Sequence, residues 1–410
     1  MSEIAVKPVA GARWSVAAAG IKSTKDDGSN PLDIALLELE AGSRVAAVFT
    51  QNAFCAAPVI VSQTHLVAIA DSAKSEAIYC LINSGNANAG TGEGGMHAAQ
   101  QSCQSLASQF DIGRSSVLPF STGVIGEPLP IDKIECVQGK LQAGLAEENW
   151  NVASEAIMTT DTVPKAASRT VQIGDNQLTI SGIAKGAGMI KPNMATMLAF
   201  VVTDAAIAQA DLQALVTKSA DISFNRITVD GDTSTNDACL LAATGKSGVQ
   251  LMPGGQGWTE FEAEVISLMQ ELAAAIIRDA EGATKFITLD VVNAATTDEC
   301  LQVAYTVAES PLVKTAFFAS DANWGRILAA VGRSGVQNLN VNDVTIALGD
   351  YLICAQGGRV ADYDEQRATQ IMSQPEVTIT ISLARGEACE RVWTSDLSHD
   401  YVRINAEYRT

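Results

Sequence analysis

Short runs of strand character recur along the whole chain, and they are not spaced like a repeating strand–helix unit. "RVAAVFT", "AIYCLINSG", "LTISGIA", "MLAFVVT", "CLLAAT", "FITLDVV", "VTIALG" and "VTITISL" are dominated by aliphatic and β-branched residues. Helical patterns lie between some of them, as in "MHAAQQSCQSLASQF" and "DLQALVTKSA". The clearest runs from Thr259 to Asp279. There Phe261, Val265, Leu268, Leu272 and Ile276 recur at steps of four and three, placing an apolar stripe on one face. "GDNQ" between "RTVQI" and "LTISGIA" predicts a hairpin turn. Strands and helices mix without strict alternation, which disfavours a doubly wound sheet. The expected fold class is α+β, with helices packed on mixed sheets.

With 410 residues, 47% of them hydrophobic, the chain can bury a sizeable core. Lys and Arg number 27 against 46 Asp and Glu, a net charge of −19. An acidic surface without a basic stripe argues against nucleic acid and against anionic membranes as partners. No apolar run is long enough to span a bilayer without polar interruption. "MSEIAVKPVAGARWS" has no basic stretch followed by an apolar one, so no secretory leader is expected. The eight cysteines are scattered without a C-x-x-C pair, as expected of mostly buried, reduced thiols in a cytoplasmic protein.

The usual catalytic apparatus is missing. His65, His97 and His399 are the only histidines, and none lies in a hydrolase or zinc-site pattern. "DGDTSTND" from Asp230 resembles a calcium loop, but Thr235 stands where glycine is needed and Leu241 where glutamate is needed. It reads as a structural turn. "KGAGMI" lacks the spacing of a phosphate loop. "NSGNANAGTGEGG" from Asn83 reads as a tight turn whose small residues allow close approach of a ligand. Catalysis is therefore expected to need no metal and no cofactor.

One segment offers another route. In "KPNMATMLAF", from Lys191 to Phe200, Thr196 follows the small residue Ala195 and precedes a buried-strand pattern. Taken alone, Thr196 is a β-branched residue opening a strand. If the Ala195–Thr196 bond were cut, however, Thr196 would gain an α-amine with a pKa of roughly 7.7–8.0. A threonine hydroxyl paired with its own amine is an effective nucleophile. Attack of that hydroxyl on the Ala195 carbonyl, then hydrolysis of the ester, would make the cut.

"KGAGMIKPNMATMLAF" resembles the signature of the bifunctional ornithine acetyltransferase/glutamate N-acetyltransferase family of arginine biosynthesis. "NSGNANAGTG", "PFSTGVIG", "MTTDT", "RDAEGATK", "SDANWGRI" and "YVRINAEYRT" follow in the family's order, so the resemblance spans the chain. It implies self-cleavage between Ala195 and Thr196 into an α chain of residues 1–195 and a β chain of residues 196–410. The family resembles N-terminal-nucleophile enzymes in logic and typically forms a heterotetramer of two α and two β chains. Its members move acetyl from N-acetylornithine to glutamate, and some also take acetyl from acetyl-CoA.

The resemblance also assigns roles. Thr196 carries the acetyl group, and Thr122 with the Gly123 N–H stabilises the oxyanion. Gly123 is expected because a Cβ would obstruct the approaching oxyanion. Lys185 is the candidate partner of the substrate α-carboxylate, and Glu281 that of the ornithine amine. Thr159 or Thr160 contacts substrate. Asn405 and Thr410 complete the site. A self-processing amidohydrolase or aminopeptidase would share the acyl-threonine step but give the acyl group to water. A binding protein with an uncut chain is the third alternative.

Overall fold

The computed structural model describes residues 6–24, 28–72, 75–191 and 197–407. Ala195, Thr196 and Thr410 lie outside the described residues.

The apolar runs assemble into two stacked sheets. The first has the order Ala12–Ala17, Ile34–Leu39, Ile78–Asn86, Val117–Val124, and only its last pair is parallel. The second runs Arg44–Phe49, Ala238–Ala243, Leu198–Thr203, Asn176–Lys185, Lys165–Ile173, with the Ala238–Ala243/Leu198–Thr203 pair parallel. Their inner faces meet in one buried cluster. Trp14, Leu37, Ile82 and Phe120 come from the first sheet, and Ile183, Phe200, Val202 and Leu240 from the second. Phe200 is the hub, with edge-on ring contacts to Trp14 at 5.9 Å and Phe120 at 5.0 Å.

Helices cover both outer faces. Ala57–Asp71, Gly92–Phe110 and Ile131–Ala143 pack on the first sheet, and Gln209–Asp221 and Trp258–Arg278 on the second. The layers thus run helix, sheet, sheet, helix. This explains the uninterrupted apolar run "MLAFVVT". Successive side chains of a strand point to opposite faces, and here both faces are buried. Ala199 and Val201 face the helices, while Leu198, Phe200 and Val202 face the other sheet.

A third, seven-stranded sheet is built from the chain after Arg278 together with the short strand Ile227–Thr228. Its longer members are Phe286–Ala294, Glu376–Ser382 and Ala388–Ser395. With the helices Thr297–Ala308, Pro311–Phe318, Trp324–Gly332 and Glu365–Met372 it encloses a core of its own. The chain is α+β, as expected.

The expected amphipathic helix is Trp258–Arg278, and all five stripe residues are buried. The expected hairpin narrows to a two-residue turn, Gly174–Asp175, because Ile173 pairs with Asn176. Gly174 supplies the positive φ of +58° that this tight turn needs. No described helix is long and apolar enough to cross a membrane. The described cysteines are all unpaired; Cys80, Cys103, Cys239, Cys300 and Cys354 are buried, whereas Cys136 and Cys389 are exposed.

The chain leaves the second sheet at Lys185 and re-enters it at Leu198, and these two residues pair across the ladder. The segment containing Ala195 and Thr196 joins them. A cut there would not separate two folding units. Three of the five strands of this sheet precede residue 195 and two follow it.

Candidate functional site

A cleft of about 210 Å³ opens where the ends of both stacked sheets meet the C-terminal helix His399–Glu407. Thr122, Gly123, Thr159, Thr160, Lys185, Glu281 and Asn405 all line it. They come from five separate stretches of the chain. Every described site residue expected from the sequence is thus brought to one place.

Thr122 and Gly123 end the Val117–Val124 strand, where its parallel pairing with Ile78–Asn86 slips at Asn86. Gly123 has φ +134°, and a Cβ built there would meet the Gly85 carbonyl carbon at 2.3 Å and the Asn86 nitrogen at 2.5 Å. The adjacent strand's backbone therefore requires glycine here by itself. Asparagines fix this corner. Ser121 donates to Asn83 Oδ1 at 2.6 Å, and Asn236 Nδ2 donates to the carbonyls of Ala87 at 2.6 Å and Ser121 at 2.9 Å.

Lys185 ends the Asn176–Lys185 strand and is buried. Its ammonium donates to Thr122 Oγ1 at 3.0 Å, leaving the Thr122 hydrogen available to another acceptor. Burial pulls the Lys185 pKa down and Lys165 adds to that, while Asp161 opposes it. Asp161 accepts from the Thr159 N–H at 3.0 Å and the Gly186 N–H at 2.7 Å, and it pairs with Lys165 at 2.6 Å. Burial alone would raise the Asp161 pKa. The Lys165 and Lys185 charges and these hydrogen bonds outweigh burial and hold it at about 2, against an ordinary 3.8.

A depressed carboxyl pKa stabilises the fold above the unfolded value, and that stabilisation disappears as pH falls through the folded value. Asp161 should thus stabilise the protein fully above about pH 4 and lose this effect toward pH 2. A series of melting temperatures against pH should fall across that window, and less steeply in Asp161→Asn. Equal slopes would show that Asp161 is not among the groups that set acid stability.

Glu281 follows the C-terminus of Trp258–Arg278, and its N–H donates to the Ala187 carbonyl at 2.9 Å. Its carboxylate accepts from Asn405 Nδ2 at 2.7 Å. Glu281 is half-buried, and that contact holds it in the cleft wall. Gly188 packs against it so closely that a Cβ would lie 2.4 Å from the carboxyl carbon.

The "DGDTSTND" turn is a wall of the cleft as well as a turn. Asp230, Asp232, Ser234, Thr235 and Asn236 all face it, as does Tyr401. Sequence reasoning tested this stretch only against calcium and set it aside. Its available signal was a dense run of small polar side chains between buried strands. Asp230 accepts from the N–H groups of Met189 at 2.7 Å and Ile190 at 2.9 Å, and from the Tyr401 hydroxyl at 3.2 Å. Burial raises the Asp230 pKa, and these donors counter it. Met189 sits at φ +54°, a left-handed conformation uncommon for a residue with a side chain.

No histidine lines the cleft. His65 is a core residue with Nδ1 against the Val117 carbonyl at 2.7 Å, and His97 and His399 are exposed. Among the described residues, no group of three or more His, Cys, Asp or Glu could hold a metal ion. The cleft offers a buried ammonium on one wall, carboxylates on the others, and hydroxyl and amide groups between. That pattern suits a small zwitterionic ligand carrying both charges.

The sequence model of the ArgJ family matches residues 13–410. The arginine biosynthesis bifunctional protein ArgJ of Pseudomonas fluorescens is 50% identical over 98% of this chain and 97% of its own length. The protein of the same name from Methylococcus capsulatus is 52% identical over 100% of this chain and 98% of its own. The crystal structure of the argJ bifunctional protein from Bacillus halodurans is 40% identical, covering 50% of this chain and 96% of that chain, with a TM-score of 0.48.

Proposed function

Since the chain belongs to the ArgJ family, we propose that it is an acetyltransferase of arginine biosynthesis. It moves acetyl from N-acetylornithine to glutamate and cuts itself between Ala195 and Thr196. The observation that carries this reading is the convergence of Thr122, Gly123, Thr159, Thr160, Lys185, Glu281 and Asn405 on one cleft. That cleft adjoins the strand ends joined by the segment containing Thr196.

The chemistry is the one the family resemblance implies, and the lining of the cleft supports it. The Thr196 α-amine removes the hydroxyl proton, and the hydroxyl attacks the acetyl carbonyl. The Thr122 hydroxyl and the Gly123 N–H receive the developing oxyanion; one such donor is worth about 3–4 kcal/mol of barrier. Lys185 already donates to Thr122 Oγ1, which directs the Thr122 hydrogen elsewhere, toward the oxyanion in this scheme. Lys185 and Glu281 meet the α-carboxylate and the side-chain ammonium of the donor. Ornithine leaves, and glutamate takes the acetyl group from Thr196. Asn405 and Thr410 close the amino-acid end. The working form is a cytoplasmic heterotetramer of two α and two β chains, and no cofactor takes part.

One nucleophile serving both half-reactions implies ping-pong kinetics. Parallel double-reciprocal lines are expected, and incubation with N-acetylornithine alone should leave one acetyl group on the chain beginning at Thr196, read by mass spectrometry. Intersecting lines without an acetylated chain would mean direct transfer. Acetate release that ignores glutamate would mean a hydrolase.

A further inference from the structure

Behind the cleft, one buried lysine ties together three of its walls. Lys165 does not line the cleft, and its side chain is 1% exposed. Its ammonium pairs with Asp161 Oδ1 and Asp279 Oδ2, each at 2.6 Å, and donates to the Val163 carbonyl at 3.3 Å. All three of its hydrogens are thus used.

Each carboxylate in turn grips backbone at a wall. Asp161 holds the Thr159 N–H and the Gly186 N–H, beside Thr160 and Lys185 respectively. Asp279 accepts from the Thr162 and Val163 N–H groups at 3.0 and 3.3 Å, and from the Thr162 hydroxyl. Two residues after Asp279 comes Glu281. The turn bearing Thr159 and Thr160, the strand end bearing Lys185 and the helix end bearing Glu281 therefore share one ionic joint.

The charges behind the cleft balance. Lys165 and Lys185 are matched by Asp161 and Asp279. Glu281 has no ion-pair partner among the described residues and takes only the Asn405 amide. Its charge is left to a ligand.

From this arrangement we infer that Lys165 is a positioning residue that holds Glu281 against the Thr159–Thr160 turn and so sets the cleft's preference for a cationic side chain. The inference rests on the reading above that Glu281 faces the ammonium of the donor. Loosening the joint shifts Glu281 relative to the turn, so the bonus for an ammonium falls while chemistry at the acetyl group is spared.

The measurement is the ratio of kcat/KM for N-acetylornithine to that for N-acetylnorvaline, which lacks only the terminal amine. Global destabilisation scales both substrates alike and leaves the ratio alone. Lys165→Met strands two buried carboxylates and can fail to fold, so Asp279→Asn and the charge-balanced pair Lys165→Met with Asp279→Asn carry the test. Glu281→Gln calibrates it.

The expected result is a fall of about tenfold or more in the ratio for Glu281→Gln and for the Asp279 variants, the range for a lost hydrogen bond to a charged group. An unchanged ratio in the Asp279 variants, beside a collapsed one in Glu281→Gln, would overturn the positioning role and leave the proposed function standing. A wild-type ratio near one, or no transfer from N-acetylornithine, would overturn the function itself and this inference with it.

Discussion

Replacing Thr196 by alanine is expected to leave a single uncut chain of 410 residues and to abolish acetyl transfer. The argument is chemical. Alanine has no hydroxyl to attack the preceding carbonyl, so neither the cut nor the free α-amine would form. Denaturing gels should show two bands for the wild type and one for the variant. Native gels should not separate the wild-type halves. The cut falls between Lys185 and Leu198, and in the shared sheet the two strands that follow the cut, Leu198–Thr203 and Ala238–Ala243, lie side by side between strands that precede it. Thr196→Ser keeps both the hydroxyl and the future amine, so it should cut and retain part of its activity. Two chains from Thr196→Ala, with a new terminus still at position 196, would sink self-cleavage by Thr196.

The sequence reveals the fold class and the cleft to different depths, for reasons that lie in particular residues. Trp258–Arg278 was legible because one of its faces meets a sheet and the other meets water, so its apolar residues keep a helical period. Leu198–Thr203 was legible as a buried run but carries no alternation, because both of its faces are covered. Ala57–Asp71 gave no signal. Its apolar residues are spread around the helix, and Val59, Val61 and Ile60 are β-branched, which suggests a strand as readily as a helix.

At the site, Thr122, Lys185 and Glu281 were found only through short motifs that resemble a known family. Their meeting depends on strand pairings between residues far apart in the chain, which no local pattern encodes. Asp230 and Tyr401 were missed because each belongs to a stretch with an ordinary local explanation, a turn and a chain end. Lys165 was missed for a related reason. A lysine in "TVPKAAS" reads as exposed, and only its burial between Asp161 and Asp279 reveals otherwise.

Gly123→Ala should damage both stability and catalysis, and by a route that separates the two strands holding the oxyanion donors. Gly123 has φ +134°, a region closed to residues with a Cβ, and the added methyl would lie 2.3 Å from the Gly85 carbonyl carbon. Neither contact is with the flexible end of a side chain, so the backbone itself must move. Overpacking of this kind costs about 1–3 kcal/mol, and the strained φ adds on the order of 1–3 kcal/mol. The Gly123 N–H survives the substitution, but the strand that aims it is displaced. Loss of one oxyanion donor lowers kcat by about 10²–10³-fold, and a donor moved out of reach is equivalent to a donor removed. The variant should therefore melt several degrees lower and turn over about 10²-fold more slowly, with KM for N-acetylornithine changed much less. Gly85→Ala supplies the contrast. Gly85 also has a positive φ, of +97°, but its Cβ would lie 3.0 Å from Lys22 Cγ, 3.2 Å from the Lys22 backbone nitrogen and 3.3 Å from Ile21 Cγ2, looser contacts than those at Gly123. It should lose stability and keep more of kcat. Equal kcat in Gly123→Ala and the wild type would remove the Gly123 N–H from the oxyanion scheme, whatever the melting temperatures.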